Sequence, residues 1–142
     1  SLSFDRQGDL YVQIGSEENV DKTVLRTRIK KFSGQAIRNG EFPIDFRTGG
    51  EDFAVGLRNT AGLDFDVNDV LWGSNAGSDN LRRDDLGGDL TENNPCEELN
   101  KFEVQGRFYG FPYCWTEGNI PTYGEGTGAQ WAYRQEYLDD FT

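Results

Sequence analysis

The chain has 142 residues, room for one ordinary domain, and carries 25 acidic against 14 basic residues for a net charge of −11. Such a surface repels phosphate backbones and holds no basic cluster to overrule that, which excludes nucleic acid as a partner; no apolar run approaches the ~20 residues of a membrane-spanning helix. A hydrophobic content of only 35%, with 18 glycines and aromatics spread along the whole chain, points to short strands and many turns rather than to disorder.

In chain order, Leu2 and Phe4 alternate with polar neighbours, as do Leu10, Val12 and Ile14, which predicts two half-buried strands. The stretch Arg6-Gln-Gly-Asp9 between them places a glycine in a short connection, a hairpin signal. Thr27, Ile29 and Lys31 then face one way and Arg28, Lys30 and Phe32 the other, which predicts a third, more exposed strand. The pattern returns: Leu2-Ser-Phe-Asp5 matches Leu63-Asp-Phe-Asp66, and the same step of 61 residues (2 to 63) carries Leu10 onto Leu71, Tyr11 onto Trp72 and Asn19 onto Asn80. Asn68-Asp69 takes the part of the hairpin turn. Ile29-Lys-Lys-Phe32 matches Leu99-Asn-Lys-Phe102 at a step of 70 (29 to 99), and the extra residues fall in the acidic segment between. Only residues 131–141 suggest a helix, and a short one.

Short strands repeating after ~40–60 residues are the signature of propeller blades. One blade cannot bury its apolar face alone, so neighbours must stack on it and ring closure must protect the strand edges. The expectation is an all-β chain, a β-propeller fragment of about two to three four-stranded antiparallel blades. Its units fall at about residues 1–50 and 51–107, with the start of a further blade at 108–142. The remaining blades, in the same propeller or from another chain, are the expected partner. With no Met in the chain and strand-like sequence at Ser1, both ends read as cut or processed, and a signal peptide would be gone already.

Cys96 and Cys114 lack zinc-site spacing, and there is no His to complete such a site. A disulfide between them suits a secreted chain; two buried thiols, or a pairing with a cysteine beyond residue 142, are the alternatives.

Six ordered stretches resemble the soluble sugar dehydrogenases that use pyrroloquinoline quinone (PQQ), in the branch of sorbosone and pyranose dehydrogenases. They are Gly8-Asp-Leu-Tyr-Val-Gln-Ile-Gly-Ser16, Gly56-Leu-Arg-Asn-Thr-Ala-Gly-Leu63, Leu71-Trp-Gly-Ser-Asn-Ala-Gly77, Asp84-Asp-Leu-Gly-Gly-Asp89, Asn94-Pro-Cys-Glu-Glu-Leu-Asn100 and Phe108-Tyr-Gly-Phe-Pro-Tyr113. The resemblance implies a six-bladed propeller with the quinone and a calcium ion on one face. It places the cofactor-facing pair on Arg58 and Asn59 and the calcium-binding carbonyls at Gly77 and Ser78, where Ser78 stands in place of the family's usual Pro. The loop over residues 15–19 would line the mouth of the same site. The implied activity is oxidation of a sugar or aldose by a secreted or periplasmic quinoprotein. The family's general base is a His, and this chain has none, so no residue here can be named as the base and the chain alone is expected to be inactive. The competing reading is a non-catalytic extracellular structural or carbohydrate-recognition propeller, because fold alone does not decide function.

Other features carry less. Asp79, Asp84, Asp85 and Asp89 lack the spacing of a calcium-binding EF-hand and read as a solvated loop with Arg82 and Arg83 as internal partners. Glu97 and Glu98, adjacent on a strand, point to opposite faces and cannot flank one glycosidic bond. The glycine-rich stretch 124–128 carries Glu125 and no Lys, a poor phosphate cradle. Among the aromatic residues, Trp115 and Tyr123 are the candidates for a sugar-stacking platform.

Overall fold

The computed structural model describes residues 1–23, 25–40, 43–94 and 98–133. Four strands come first, β1 (Leu2–Phe4), β2 (Leu10–Ile14), β3 (Arg28–Phe32) and, after a short helix α1 (Gly34–Arg38), β4 (Glu51–Val55). They form an antiparallel meander in the order β1-β2-β3-β4. Next come β5 (Asn59–Phe65) and β6 (Leu71–Ala76). A two-stranded ribbon follows, β7 (Arg82–Arg83) and β8 (Gly88–Asp89), around a 3-10 turn at Asp84–Leu86. β9 (Glu98–Phe102), β10 (Arg107–Phe108), β11 (Cys114–Thr116) and β12 (Gln130–Ala132) complete the described residues. β5, β6 and β9 make the second antiparallel sheet, β10 runs parallel to β4 on the edge of the first, and β11 pairs with β12. The architecture is a nearly all-β, propeller-like fragment.

The repeat read from the sequence is a repeat of register. Leu2 pairs with Val12 and Phe4 with Leu10; in the second sheet Leu63 pairs with Gly73 and Phe65 with Leu71. Lys31 lies opposite Tyr11, and Lys101 opposite Trp72. Even the turn chemistry recurs. Asp5 Oδ1 accepts from the backbone of Gln7 and Asp9 while its Oδ2 lies 3.2 Å from the Tyr11 hydroxyl. Asp66 Oδ1 accepts from Asn68 and Val70 while Oδ2 accepts from Trp72 Nε1 at 3.0 Å. The lysine opposite each ring then sits over its face, at 5.4 Å for Lys31 on Tyr11 and 5.6 Å for Lys101 on Trp72. Each turn also needs one residue with positive φ, met by Gly8 (85°) and by Asp69 (62°), a position that glycine and short polar side chains tolerate best.

Stacking of the two sheets makes the first core. Tyr11, Ile29, Ala54 and Leu57 meet Leu71 and Phe102, with Phe53, Leu63, Phe65 and Tyr109 packed around them. The Tyr11 ring takes Phe53 edge-on at 4.8 Å and Phe65 at 5.1 Å. A second core forms under the ribbon and the last strands from Leu81, Leu86, Leu90, Phe111, Trp115, Ile120 and Tyr133.

Three expectations are corrected here. β3 is an interior strand rather than a more exposed one: β4 covers its far edge, and Ile29, Lys30 and Phe32 are buried. The Lys30 ammonium escapes the cost of burial by donating to the carbonyls of Phe46, Arg47 and Gly49 at 3.0, 3.4 and 2.7 Å. Trp131 lies in β12 rather than in a helix, and residues 134–141 of the expected helix lie outside the described residues. The helix that does form, α1, is only five residues long with Ser33 as its N-cap, too short to show a helical period.

Candidate cofactor and ion site

The Gly-Leu-Arg-Asn run is built residue by residue for the junction between the two sheets. Gly56 adopts φ of 76°, and a Cβ there would lie 2.5 Å from the Phe108 ring, so both conformation and space demand glycine. Leu57 is fully buried in the inter-sheet core and its N–H donates to the Thr27 carbonyl at 3.0 Å. That anchor turns the next side chain, Arg58, outward into the loops. Asn59 opens β5, its N–H bonded to Asn75 Oδ1 at 3.1 Å; a Cβ at residue 15 would meet the Asn59 side chain and lie 2.9 Å from the Arg58 carbonyl, a close approach that glycine permits. Ser16 N donates to the Arg58 carbonyl at 2.8 Å, which ties the loop after β2 to the same junction.

The structure thus brings together Arg58, Asn59, Gly77, Ser78 and the loop at residues 15–19. The Arg58 guanidinium is mostly buried. It donates Nε to the Asn19 carbonyl (3.3 Å), Nη1 to the Gly77 carbonyl, and Nη2 to both Asn19 Oδ1 (3.1 Å) and Asp79 Oδ2 (3.1 Å). Ser78 is buried, with its hydroxyl 3.0 Å from the Asn19 carbonyl and 3.0 Å from the Tyr133 hydroxyl. On its inner side the junction closes onto a gap of about 10 Å³ lined by Arg58, Gly77, Tyr109 and Tyr133, room for one water at most. On the outer side of the junction Asn19 and Asp79 are exposed.

These residues fit a quinone in one respect: a fixed guanidinium, permanently charged, stands at a loop mouth where negative charge can be stabilised without rearrangement. They fit calcium in donor type. The Gly77 carbonyl, the Ser78 hydroxyl and the Asp79 carboxylate are all oxygen, the donors a hard cation takes. The Gly77 carbonyl shares its lone pairs with Arg58. No group of three His, Cys, Asp or Glu converges among the described residues.

Sequence reasoning missed what holds the loop. Asp21 is buried, accepts from Glu17 N (3.0 Å) and Thr23 N (2.8 Å), and pairs with Arg26 Nε at 2.6 Å. The Arg26 hydrogen bond holds the Asp21 carboxyl well below its usual range, against burial, which pushes it up. Glu117 was missed too. Burial pushes its carboxyl up, but the Trp131 indole N–H and the N–H groups of Glu125, Gly126 and Ile120 outweigh that and hold it below the usual range. Both signals are single acids in loops, with no spacing to mark them.

A pH dependence follows. A depressed carboxyl contributes stability that is complete above the ordinary Asp/Glu range of about 4 and is lost as pH falls through the depressed value. Proteolysis of loop 16–26 and amide exchange of loop 117–128 should therefore stay slow down to about pH 4 and accelerate below it. Asp21→Asn should make loop 16–26 labile at every pH; if that variant keeps the pH profile of the parent, Asp21 is not the anchor.

Trp115, expected as a surface platform, is 3% exposed in the second core, stacked on Trp131 with ring centroids 6.3 Å apart, and cannot reach a sugar; Tyr123 is exposed. The acidic segment uses its arginines internally, Arg82 on Asp84 (3.0 Å) and Arg83 on Asp85. Cys114 is half-buried, has no disulfide partner among the described residues, and burial raises the pKa of its thiol; Cys96 and Glu97 lie outside the described residues, and the Cys96–Cys114 pairing with them.

A four-stranded antiparallel meander followed by a three-stranded sheet that repeats its register, with a cation-bearing loop junction at the head of the second, defines a propeller-like fragment. A family model described as TrAA12-like matches residues 1–141, and the chain belongs to that family. It is similar to the calcium structure of Trichoderma reesei Carbohydrate-Active Enzymes Family AA12, with 27% identity and a TM-score of 0.80 over 92% of this chain and 36% of that one. The iodide structure of the same protein family from T. reesei gives 28% identity and a TM-score of 0.76 over 92% and 36%. The holo form of the pyranose dehydrogenase PQQ domain from Coprinopsis cinerea shares the fold, with a TM-score of 0.76 at 19% identity over 99% of this chain and 38% of that one. The chain thus spans just over a third of the length of the structures it matches. A comparison with curated proteins finds no match.

Proposed function

We propose that this chain forms part of a secreted PQQ-dependent sugar or aldose dehydrogenase. Arg58 and Asn59 face the quinone, and Gly77 and Ser78 stand beside a calcium ion. The units at about residues 1–50, 51–107 and 108–142 serve as two blades and the beginning of a third, completed by further blades of the same ring or of another chain. The observation that carries the reading is Arg58: a guanidinium locked at the junction of the two sheets, with four N–H donations spent on the surrounding loops and the exposed Asn19 and Asp79 beside it. When bound, the quinone accepts the reducing equivalents taken from a sugar carbon.

Each residue of the chain has a separable part. Arg58 stabilises negative charge on a quinone oxygen, and its fixed position removes the cost of reorganising at that moment. Asn59 keeps loop 15–19 apposed to the head of β5. Gly77 offers a carbonyl toward the ion, and Ser78 holds that turn against Asn19 and Tyr133. The proton taken from the sugar needs a base that none of the described residues of this site supplies.

The test is PQQ binding, in the presence of calcium, to the propeller assembled from this chain and its remaining blades. Arg58→Gln should weaken binding by about 10- to 100-fold, the loss of a hydrogen-bonded charge. Equal affinity in both proteins would remove the site from this face.

A further inference from the structure

Asn19, at the end of the loop over residues 15–19, is the centre of the junction. Its side-chain amide grips the backbone of residue 79 at two points: Nδ2 donates to the Asp79 carbonyl at 2.7 Å and Oδ1 accepts from Asp79 N at 2.7 Å. The same Oδ1 accepts from Arg58 Nη2 at 3.1 Å, and the Asn19 carbonyl accepts from Arg58 Nε (3.3 Å) and lies 3.0 Å from Ser78 Oγ. Five contacts on one residue therefore join the loop after β2, the head of β5 and the turn after β6. The loop that presents Asn19 is itself pinned by Asp21 and Arg26.

We infer that Asn19 is a positioning residue, which fixes Arg58 and the turn at residues 77–79 in the arrangement that faces the cofactor; this rests on the quinone reading above. The chemistry requires asparagine. An aspartate at 19 could accept from Arg58 but could not donate to the Asp79 carbonyl, and it would bring a second carboxylate against Asp79. Glutamine would carry the amide one methylene beyond the two-point grip. Alanine removes the three side-chain contacts and leaves Arg58 only the backbone oxygen, Gly77 and the exposed Asp79 carboxylate, which is 76% exposed and a weak anchor in water.

The experiment compares the assembled propeller with its Asn19→Ala and Asn19→Asp variants by two readouts. The first is the Arg58 Nε–H resonance in NMR, and the second is the affinity for PQQ with calcium present. In the parent, the Arg58 Nε–H should be protected from exchange. In Asn19→Ala, which keeps the carbonyl that Nε donates to but frees its loop from residue 79, that protection should fall and PQQ affinity should drop on the order of tenfold, the scale of one hydrogen bond to a charged group. The fold itself should persist, because the cores do not include residue 19. Asn19→Asp, nearly isosteric, keeps an acceptor for Arg58 and loses the donor to the Asp79 carbonyl, so it should show a smaller loss of both, and it guards against a folding defect in the alanine variant. Unchanged Arg58 protection overturns the proposal, whatever happens to affinity, because a drop in binding without release of Arg58 means that Asn19 acts directly on the ligand. If the parent itself fails to bind PQQ, the quinone reading fails on its own, and the NMR readout still decides whether Asn19 holds Arg58.

Discussion

Replacing Ile29 by alanine should destabilise the protein by about 2–5 kcal/mol, while Leu99→Ala, at the matching position of the second unit, should change little in the chain alone. Ile29 is completely buried where the two sheets meet, between Tyr11, Ala54, Leu57, Leu71 and Phe102. Truncation there removes transfer energy and leaves a cavity that strands hydrogen-bonded on both sides cannot collapse to fill. Leu99 occupies the same register, opposite Ser74 as Ile29 is opposite Gln13, yet it is 71% exposed. Denaturant unfolding measures both. Equal losses from the two variants would mean that the second sheet has a covered outer face and that the stacking described here is incomplete.

Lys30→Met should cost about 2–3 kcal/mol, the value of hydrogen bonds to a charged donor, although methionine is the more apolar side chain at a 7% exposed position. The ammonium is the only described donor set against the carbonyls of Phe46, Arg47 and Gly49, and it also lies 5.5 Å over the Phe46 ring. Its loss leaves carbonyls facing an apolar tip and frees the segment at residues 43–50. Amide exchange there should rise more than in β2 or β3, and a loss spread evenly over the sheet would show that Lys30 supports the strand and not the loop.

These two residues show how far the sequence could be read. The alternation around Leu2, Phe4, Leu10 and Val12, and its return from Leu63 on, specified strands, hairpins and register, because side-chain period and turn chemistry are local properties that the order of residues carries directly. Gly56, Arg58, Asn59 and Gly77 were legible as a group by resemblance, and the structure brings them to one junction. Lys30 was not legible: in the sequence it is a charged residue on a strand read as exposed, and only the fold of residues 43–50 over β3 reveals its carbonyl acceptors. Trp115 failed in the opposite direction, an aromatic residue read as surface that packs under the ribbon. Asp21 and Glu117 were silent because a carboxylate that gathers backbone N–H groups has no spacing signature.

The order of residues alone determined a repeated antiparallel unit and an acidic composition. Only the tertiary structure decided which faces of those units are covered, which loop oxygens surround Arg58, and that Asn19 rather than its counterpart Asn80 links the loops. The physical reason is that strand pairing is dictated by neighbours in sequence, whereas burial and hydrogen bonding across a junction depend on groups 39 and 60 residues apart, whose meeting no local pattern records.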